Sequence, residues 1–305
     1  MKIKVATCQF PTSADIRKNL CYILRQMNIA KDRGADVVHF PEACLSGYAG
    51  HDLRSFKGFN WKNLEESTPQ IFELAKELQI WVILGSTHRL SGNNKPHNSI
   101  YIVNNNGILI DRYDKMFLAS DRFGRLGEIV HYSPGSHFCV FNIKGIRCGV
   151  LICHEYRYPE LYREYKRRGV QLMFHSYHSG HINLKKLFSM QKQVGAQFYK
   201  LNRGTTLPEI TMPATMQAAA ASSHVWISCS NSSAKESCWA SFFVRPDGVI
   251  TGKLKKNVAG ILISEVNSQE KLYDSTAAWR DRAIRGIYHS GKLLKDRRST
   301  ERKRV

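Results

Sequence analysis

The succession strand, helix, strand at the N-terminus constrains this chain more than any other feature. Ile3–Gln9 is rich in β-branched and apolar residues and reads as a strand. From Ser13 to Arg33, residues Ile16, Leu20, Ile23, Leu24, Met27 and Ala30 recur at helical spacing, with Asp15 in the first turn and Gly34 as the stop. Asp36–Phe40 follows as a short strand that ends in Pro41–Glu42. A helix with one apolar face between two strands has to bury that face on their sheet, which leads to layered α/β packing.

The alternation continues. Thr68–Pro69 reads as an N-cap and first helical residue, followed by Ile71, Leu74, Ala75 and Leu78, and Trp81–Thr87 as a strand. Asn104–Gly107 joins Asn98–Val103 to Ile108–Tyr113 as a hairpin. The apolar run Ile146–Ile152 predicts a central strand buried on both faces. Next come a helix over Pro159–Arg168, a strand over Val170–Phe174, helices near Leu184–Tyr199 and Ala214–Ser222, and a strand over Val225–Ser230. A second hairpin, Cys238–Val244 with Val249–Leu254, precedes the last strand, Val258–Val266. With no repeat or linker, residues 1–275 read as one domain and 276–305 as a basic, partly helical tail.

Composition excludes whole classes. At 43% apolar and 10% aromatic, the 305 residues are not those of a disordered or collagen-like chain. No run approaches the ~18 apolar residues of a membrane span. The start lacks the pattern of a secretory signal, and eight cysteines without a C-x-x-C pair read as reduced thiols of a cytoplasmic protein. The net charge is +20, of which Arg280–Val305 carries +7, ten basic residues against three acidic. Such a surface attracts polyanions but also simply keeps a protein soluble. No phosphate-cradling glycine loop or nucleic-acid module accompanies it.

Three polar residues end strands or hairpins, where a rigid sheet holds functional loops. Glu42 follows Asp36–Phe40, Lys115 follows the hairpin, and Cys153 ends Ile146–Ile152. Glu128 lies between them in Gly127-Glu128-Ile129. Singly, these are an ordinary loop carboxylate, a surface amine and a small buried thiol.

As a set they form a pattern. Phe40-Pro41-Glu42-Ala43-Cys44-Leu45-Ser46-Gly47-Tyr48 resembles the first signature of the nitrilase superfamily, the carbon–nitrogen hydrolases. Tyr113-Asp114-Lys115 resembles the second, and Leu151 to Arg163, with Cys153 followed by Arg157-Tyr158-Pro159-Glu160, the third. The resemblance runs from the first strand to about Val266 and implies a four-layer αββα sandwich with a Glu42–Lys115–Cys153 triad. The residue types suit the chemistry. A thiolate attacks an amide, but a free thiol, with a pKa of roughly 8.5, needs a base to form one. Glu42 is that base, Lys115 and the His154 N–H stabilise the oxyanion, and Glu128 matches the family's second glutamate.

The resemblance implies a small amide or N-carbamoyl substrate, no metal or organic cofactor, and a homodimer or higher homo-oligomer. Nitrile hydrolysis and acyl transfer use the same trio, and a basic polyanion-binding protein on this scaffold is the alternative of another class. Tyr48, His154, His175, Tyr177 and His178 are candidate pocket residues. A papain-like Cys153–His154 pair is disfavoured, since adjacent strand residues point to opposite faces. Zinc at His175, His178 and His181 is disfavoured because no further ligand pattern accompanies that run. One departure stands out. Where many family members carry Arg-Ala-x-Glu-Asn, this chain has Ala219-Ala220-Ala221-Ser222-Ser223.

Overall fold

The computed structural model describes residues 1–303. The last two residues of the basic tail, 304–305, lie outside the described residues. Two six-stranded sheets face each other. The first runs β12 (Gly260–Asn267), β1 (Lys2–Gln9), β2 (Val37–His39), β3 (Trp81–His88), β4 (His97–Val103), β5 (Leu109–Asp114). The second runs β11 (Ile250–Lys253), β10 (Phe242–Val244), β9 (Trp226–Asn231), β8 (Leu172–Tyr177), β7 (Ile146–Ile152), β6 (Val140–Ile143).

Strand alternation sorts the side chains into layers. On one face of the first sheet, Ala6, Cys8, Val38, Val82 and Leu84 pack with Ile16, Leu20, Ile23 and Met27 of α1 (Ile16–Asp32) and with Leu64, Ile71 and Ala75 of α2 (Trp61–Leu78). On its other face, Ile3, Val5, Val37, Ile83 and Ile100 meet the second sheet. That sheet is covered in turn by α3 (Pro159–Arg167) and α6 (Leu207–Ser223). The order helix, sheet, sheet, helix is the expected sandwich. The remaining helices are α4 (Leu184–Val194), α5 (Tyr199–Asn202), α7 (Arg280–Ile284) and α8 (Arg297–Thr300). Among the described residues no helix is long and apolar enough to cross a membrane.

Several boundaries differ from the sequence reading, each for a local reason. Asn60, whose side chain accepts from the Asn63 N–H, caps α2, and Thr68–Pro69 lies mid-helix. Leu64, Ser67, Ile71 and Ala75 form one buried stripe across the proline. Pro69, which has no N–H to offer the Glu65 carbonyl, and Glu65 itself both lie on the exposed face of the helix. The helix expected to reach Tyr199 stops at Gly195, where φ is +84°. The helix predicted at Ala214 starts at Leu207, capped by Thr206. β7 is an interior strand, yet second from the edge of its sheet.

A polar thread crosses the apolar space between the sheets and fixes the turn that carries Glu42. Burial drives the His39 imidazole down to about 3, so the ring is neutral. Ser176 Oγ donates to the Phe40 carbonyl at 2.9 Å and therefore accepts from His39 Nε2, also at 2.9 Å. His39 Nδ1 then accepts from Ser228 Oγ at 2.8 Å, and Thr7 donates to Ser228 at 2.7 Å. This relay ties β1, β2, β8 and β9 together directly beneath Pro41–Glu42.

Candidate active site

Three of the four polar candidates are delivered by the end of a strand. Glu42 follows β2, and its N–H donates to the Tyr177 carbonyl of β8 at 3.2 Å. Gly85 of β3 permits this path, because a Cβ there would sit 2.1 Å from the Pro41 carbonyl oxygen. Lys115 follows β5, its N–H donating to the Asn98 carbonyl of β4 at 2.9 Å. Cys153 follows β7 and opens a 3-10 turn, Cys153–Arg157, with φ at +41°. Glu128 opens another, Glu128–Val130.

Lys115 is the centre of the arrangement. Its Nζ lies 2.8 Å from Glu42 Oε1 and 2.7 Å from Glu128 Oε2. All three side chains are almost wholly buried. Burial opposes the ammonium charge, but Glu128 and Glu42 outweigh it and hold Lys115 protonated well above its ordinary range. Asn98 Nδ2 donates to both carboxylates, at 2.8 Å to Glu42 and 2.6 Å to Glu128, and the Ala119 N–H donates to Glu128 at 3.0 Å. Among the described residues Glu42 Oε2 has no hydrogen-bond partner.

Cys153 and Lys115 line one cavity of about 220 Å³ together with Tyr48, His154 and His178. Arg157, Lys186 and Trp239 complete much of its wall. The backbone N–H of His178 hydrogen-bonds the Cys153 sulfur. Burial, and then the charge of Glu42, push the Cys153 thiol well up, against the pull of Lys115. The resting group is therefore a thiol with a carboxylate close by. His154 is neutral, lowered to about 4 by burial and then by Lys115, and its Nε2 is 3.1 Å from the Tyr158 hydroxyl. Cys153 and His154 share a turn rather than a strand, which corrects the earlier geometric reason for disfavouring their pairing; the imidazole is engaged by Tyr158 instead.

Two pocket candidates belong elsewhere. His175 is buried behind the Cys153 turn, where its Nε2 donates to the Cys153 carbonyl at 3.1 Å and its Nδ1 accepts from the Tyr162 hydroxyl. Tyr177 stacks on His175 with ring centres 4.3 Å apart, its hydroxyl 2.9 Å from Met216 Sδ. Both side chains extend into the core of the second sheet because they alternate with Ser176, which faces the first. The histidine run does not converge, for His178 and His181 approach the buried Asp52 carboxylate at 2.9 and 3.2 Å while His175 turns away. Asp52 outweighs burial and raises His178 above its ordinary value.

The site also uses residues to which sequence reasoning gave no role. Asn98 bridges the two glutamates from within β4, and nothing in its neighbourhood marks it. Asn231 accepts from the Ser179 N–H at 2.8 Å and donates to the Trp239 carbonyl at 2.7 Å, joining two parts of the cavity wall. Glu155 lay inside the third signature but was not singled out. Its Oε1 accepts from the Tyr113 hydroxyl at 2.7 Å and from the N–H groups of Met116 and Phe117 at 2.8 and 3.2 Å. Its Oε2 accepts from the Ile152 N–H at 2.7 Å. One buried carboxylate, raised to about 7 by burial, thus clamps the Lys115 loop to the base of the Cys153 turn. Glu155→Gln puts an amide N–H against a donor whichever way the group is turned. Each buried donor left unpaired costs about 1–3 kcal/mol. The variant is expected to melt several degrees lower, roughly 2–4 °C per kcal/mol, with Lys115 and Cys153 out of register. Unchanged melting and unchanged Cys153 alkylation rate would show that the clamp does nothing.

The profile of the carbon–nitrogen hydrolase family matches residues 4–271, nearly the whole chain. The chain belongs to the carbon–nitrogen hydrolase family. This hydrolase-family chain is 30% identical to an omega-amidase NIT2 of Xenopus tropicalis over 175 residues, 56% of this chain and 62% of that one. It is 32% identical to the human omega-amidase NIT2 over 156 residues, 50% of this chain and 54% of the other. The match thus spans less than two thirds of these relatives' length. Among solved structures, an amidase from Nesterenkonia sp. superposes with a TM-score of 0.70 at 18% identity, covering 93% of this chain and 95% of the other. That likeness places the same sandwich in both. Another solved form of that amidase carries the acetamide moiety of fluoroacetamide covalently added at its active-site cysteine.

Proposed function

We propose that this chain hydrolyses the C–N bond of a small linear amide or N-carbamoyl compound through a thioester on Cys153. The observation that carries the reading is Lys115 held between Glu42 and Glu128 in the wall of the cavity that Cys153 lines. Glu42 takes the thiol proton as sulfur attacks the carbonyl carbon, which removes the cost of a free thiolate in a buried site. The negative charge that develops on oxygen is met by the Lys115 ammonium and the backbone N–H of His154. Collapse of the tetrahedral intermediate breaks the C–N bond, and the proton held by Glu42 goes to the departing amine. Water then gives its proton to Glu42 as it adds to the thioester carbon; the C–S bond breaks, the proton held by Glu42 returns to the Cys153 sulfur, and the acid is released. Glu128 and Asn98 keep Lys115 and Glu42 in position and touch no reacting atom.

The cavity supports a substrate with an acidic group remote from the amide. Arg157 and Lys186 are exposed in its wall, and neither pairs with a carboxylate among the described residues. The omega-amidase name of the relatives agrees with such a substrate. Ammonia release should be measured over ω-amides of dicarboxylic acids, ureido acids, neutral amides and nitriles, with the Cys153-containing peptide weighed during turnover. A thioester mass and preference for the acidic amides support the reading; no release above a Cys153→Ala control on any substrate sinks it. The self-association implied by the family is supported by α4, none of whose residues is buried and which exposes Leu184 and Phe188. Sedimentation equilibrium is expected to give a dimer or larger, and a Phe188→Glu change to shift it toward monomer.

A further inference from the structure

The open edge of the sandwich carries a cluster that the cavity chemistry does not use. Asp111 lies on β5, the edge strand of the first sheet. Cys139 immediately precedes β6, the edge strand of the second. His137 stands two residues before Cys139, a spacing that puts both side chains on one face of an extended segment. One donor atom from each of Asp111, His137 and Cys139 lies within 4.8 Å of the other two. Asp111 Oδ2 is 2.9 Å from His137 Nε2, and the Cys139 thiol hydrogen-bonds the same carboxylate. The sulfur is buried, the carboxylate is half-buried and the imidazole is exposed, so the three donors surround a point open to water on one side.

The donor set narrows the ligand. Calcium and magnesium take oxygen ligands, whereas one sulfur, one imidazole nitrogen and one carboxylate oxygen suit zinc and its borderline neighbours. We infer that Asp111, His137 and Cys139 bind a zinc-class divalent cation, water filling the fourth position, and that the ion staples β5 to β6. The ligand bonds need about 2.0–2.3 Å each, so the hydrogen-bonded trio has only to spread slightly around the ion. His137 can follow, being exposed and outside regular secondary structure. Binding replaces the thiol proton with a metal–sulfur bond and releases that proton to water; no electron moves. None of the three residues lines the Cys153 cavity, and the site stands or falls independently of the hydrolase reading.

Cobalt(II) is the probe, added to the full chain carrying Cys153→Ala so that the cavity thiol stays silent. The expected result is one equivalent bound with a thiolate-to-cobalt charge-transfer band and the visible bands of four-coordination, both displaced by zinc. Cys139→Ser should abolish the charge-transfer band. His137→Ala, which removes an exposed side chain and keeps the fold testable, should weaken binding at least tenfold. Zinc should raise the melting temperature of the parent and leave that of His137→Ala unchanged. A charge-transfer band that survives Cys139→Ser, equal affinity in His137→Ala, or no stoichiometric binding at all overturns the site.

Discussion

Cys153→Ala is expected to reduce amide turnover to the rate in buffer while the chain keeps its fold, and Cys153→Gly to be equally inactive yet more stable than the alanine variant. Cys153 sits at φ +41°, a left-handed conformation that costs a side-chain-bearing residue about 1–2 kcal/mol. Glycine escapes that cost, so the Gly variant should melt above the Ala variant by a few degrees, roughly 2–4 °C per kcal/mol. The turn holds this strained residue because both sides are pinned. Glu155 accepts from the Ile152 N–H before it, and His175 donates to the carbonyl of Cys153 itself. Turnover by either variant would refute thioester chemistry at this sulfur. A melting temperature for glycine equal to or below that of alanine would instead show that the turn stores no strain.

Lys115→Met should be the most damaging single change to stability and should lower activity as well. Glu42 and Glu128 would then share a buried site with no counter-charge. Breaking a buried ion pair from one side costs about 3–5 kcal/mol, and losing an oxyanion donor costs about 3–4 kcal/mol in the barrier, or roughly 10²–10³-fold in kcat. The stability loss has a predictable pH dependence. Two neighbouring buried carboxylates without the ammonium repel each other, and proton uptake at low pH relieves that repulsion in the folded state more than in the open unfolded chain. Urea unfolding should show the gap between wild type and Lys115→Met narrowing from pH 8 to pH 5. A gap that is constant or widens toward low pH would mean that the two carboxylates are not the cause.

Much of this was legible in the residue order. The α1 stripe gave its helix within about three residues at the start and one at the end, because α1 packs one face on one sheet and nothing competes with its period. The three signatures located Glu42, Lys115 and Cys153 because each ends a strand or hairpin that alternation or an apolar run makes visible. Failures came where a local signal was overruled. Pro69 looks like a helix start and is a mid-helix residue, since the buried stripe on the far side continues through it. His175 and Tyr177 looked like pocket residues because the resemblance places them in a loop that often touches substrate, but strand alternation sends them inward, behind the Cys153 turn.

The order of residues by itself determined the alternating strands and helices, the layered packing they impose, and the identity of a carboxylate, an ammonium and a thiol at three strand ends. Only the tertiary structure decided that Lys115 lies between two glutamates, that Asn98 and Glu155 hold that group together, and that Asp111 meets His137 and Cys139 across the sandwich edge. The reason is physical. Secondary structure follows from periodicities of a few residues, whereas an ion pair or a ligand cluster depends on distances between residues tens of positions apart, which exist only once the two sheets have packed.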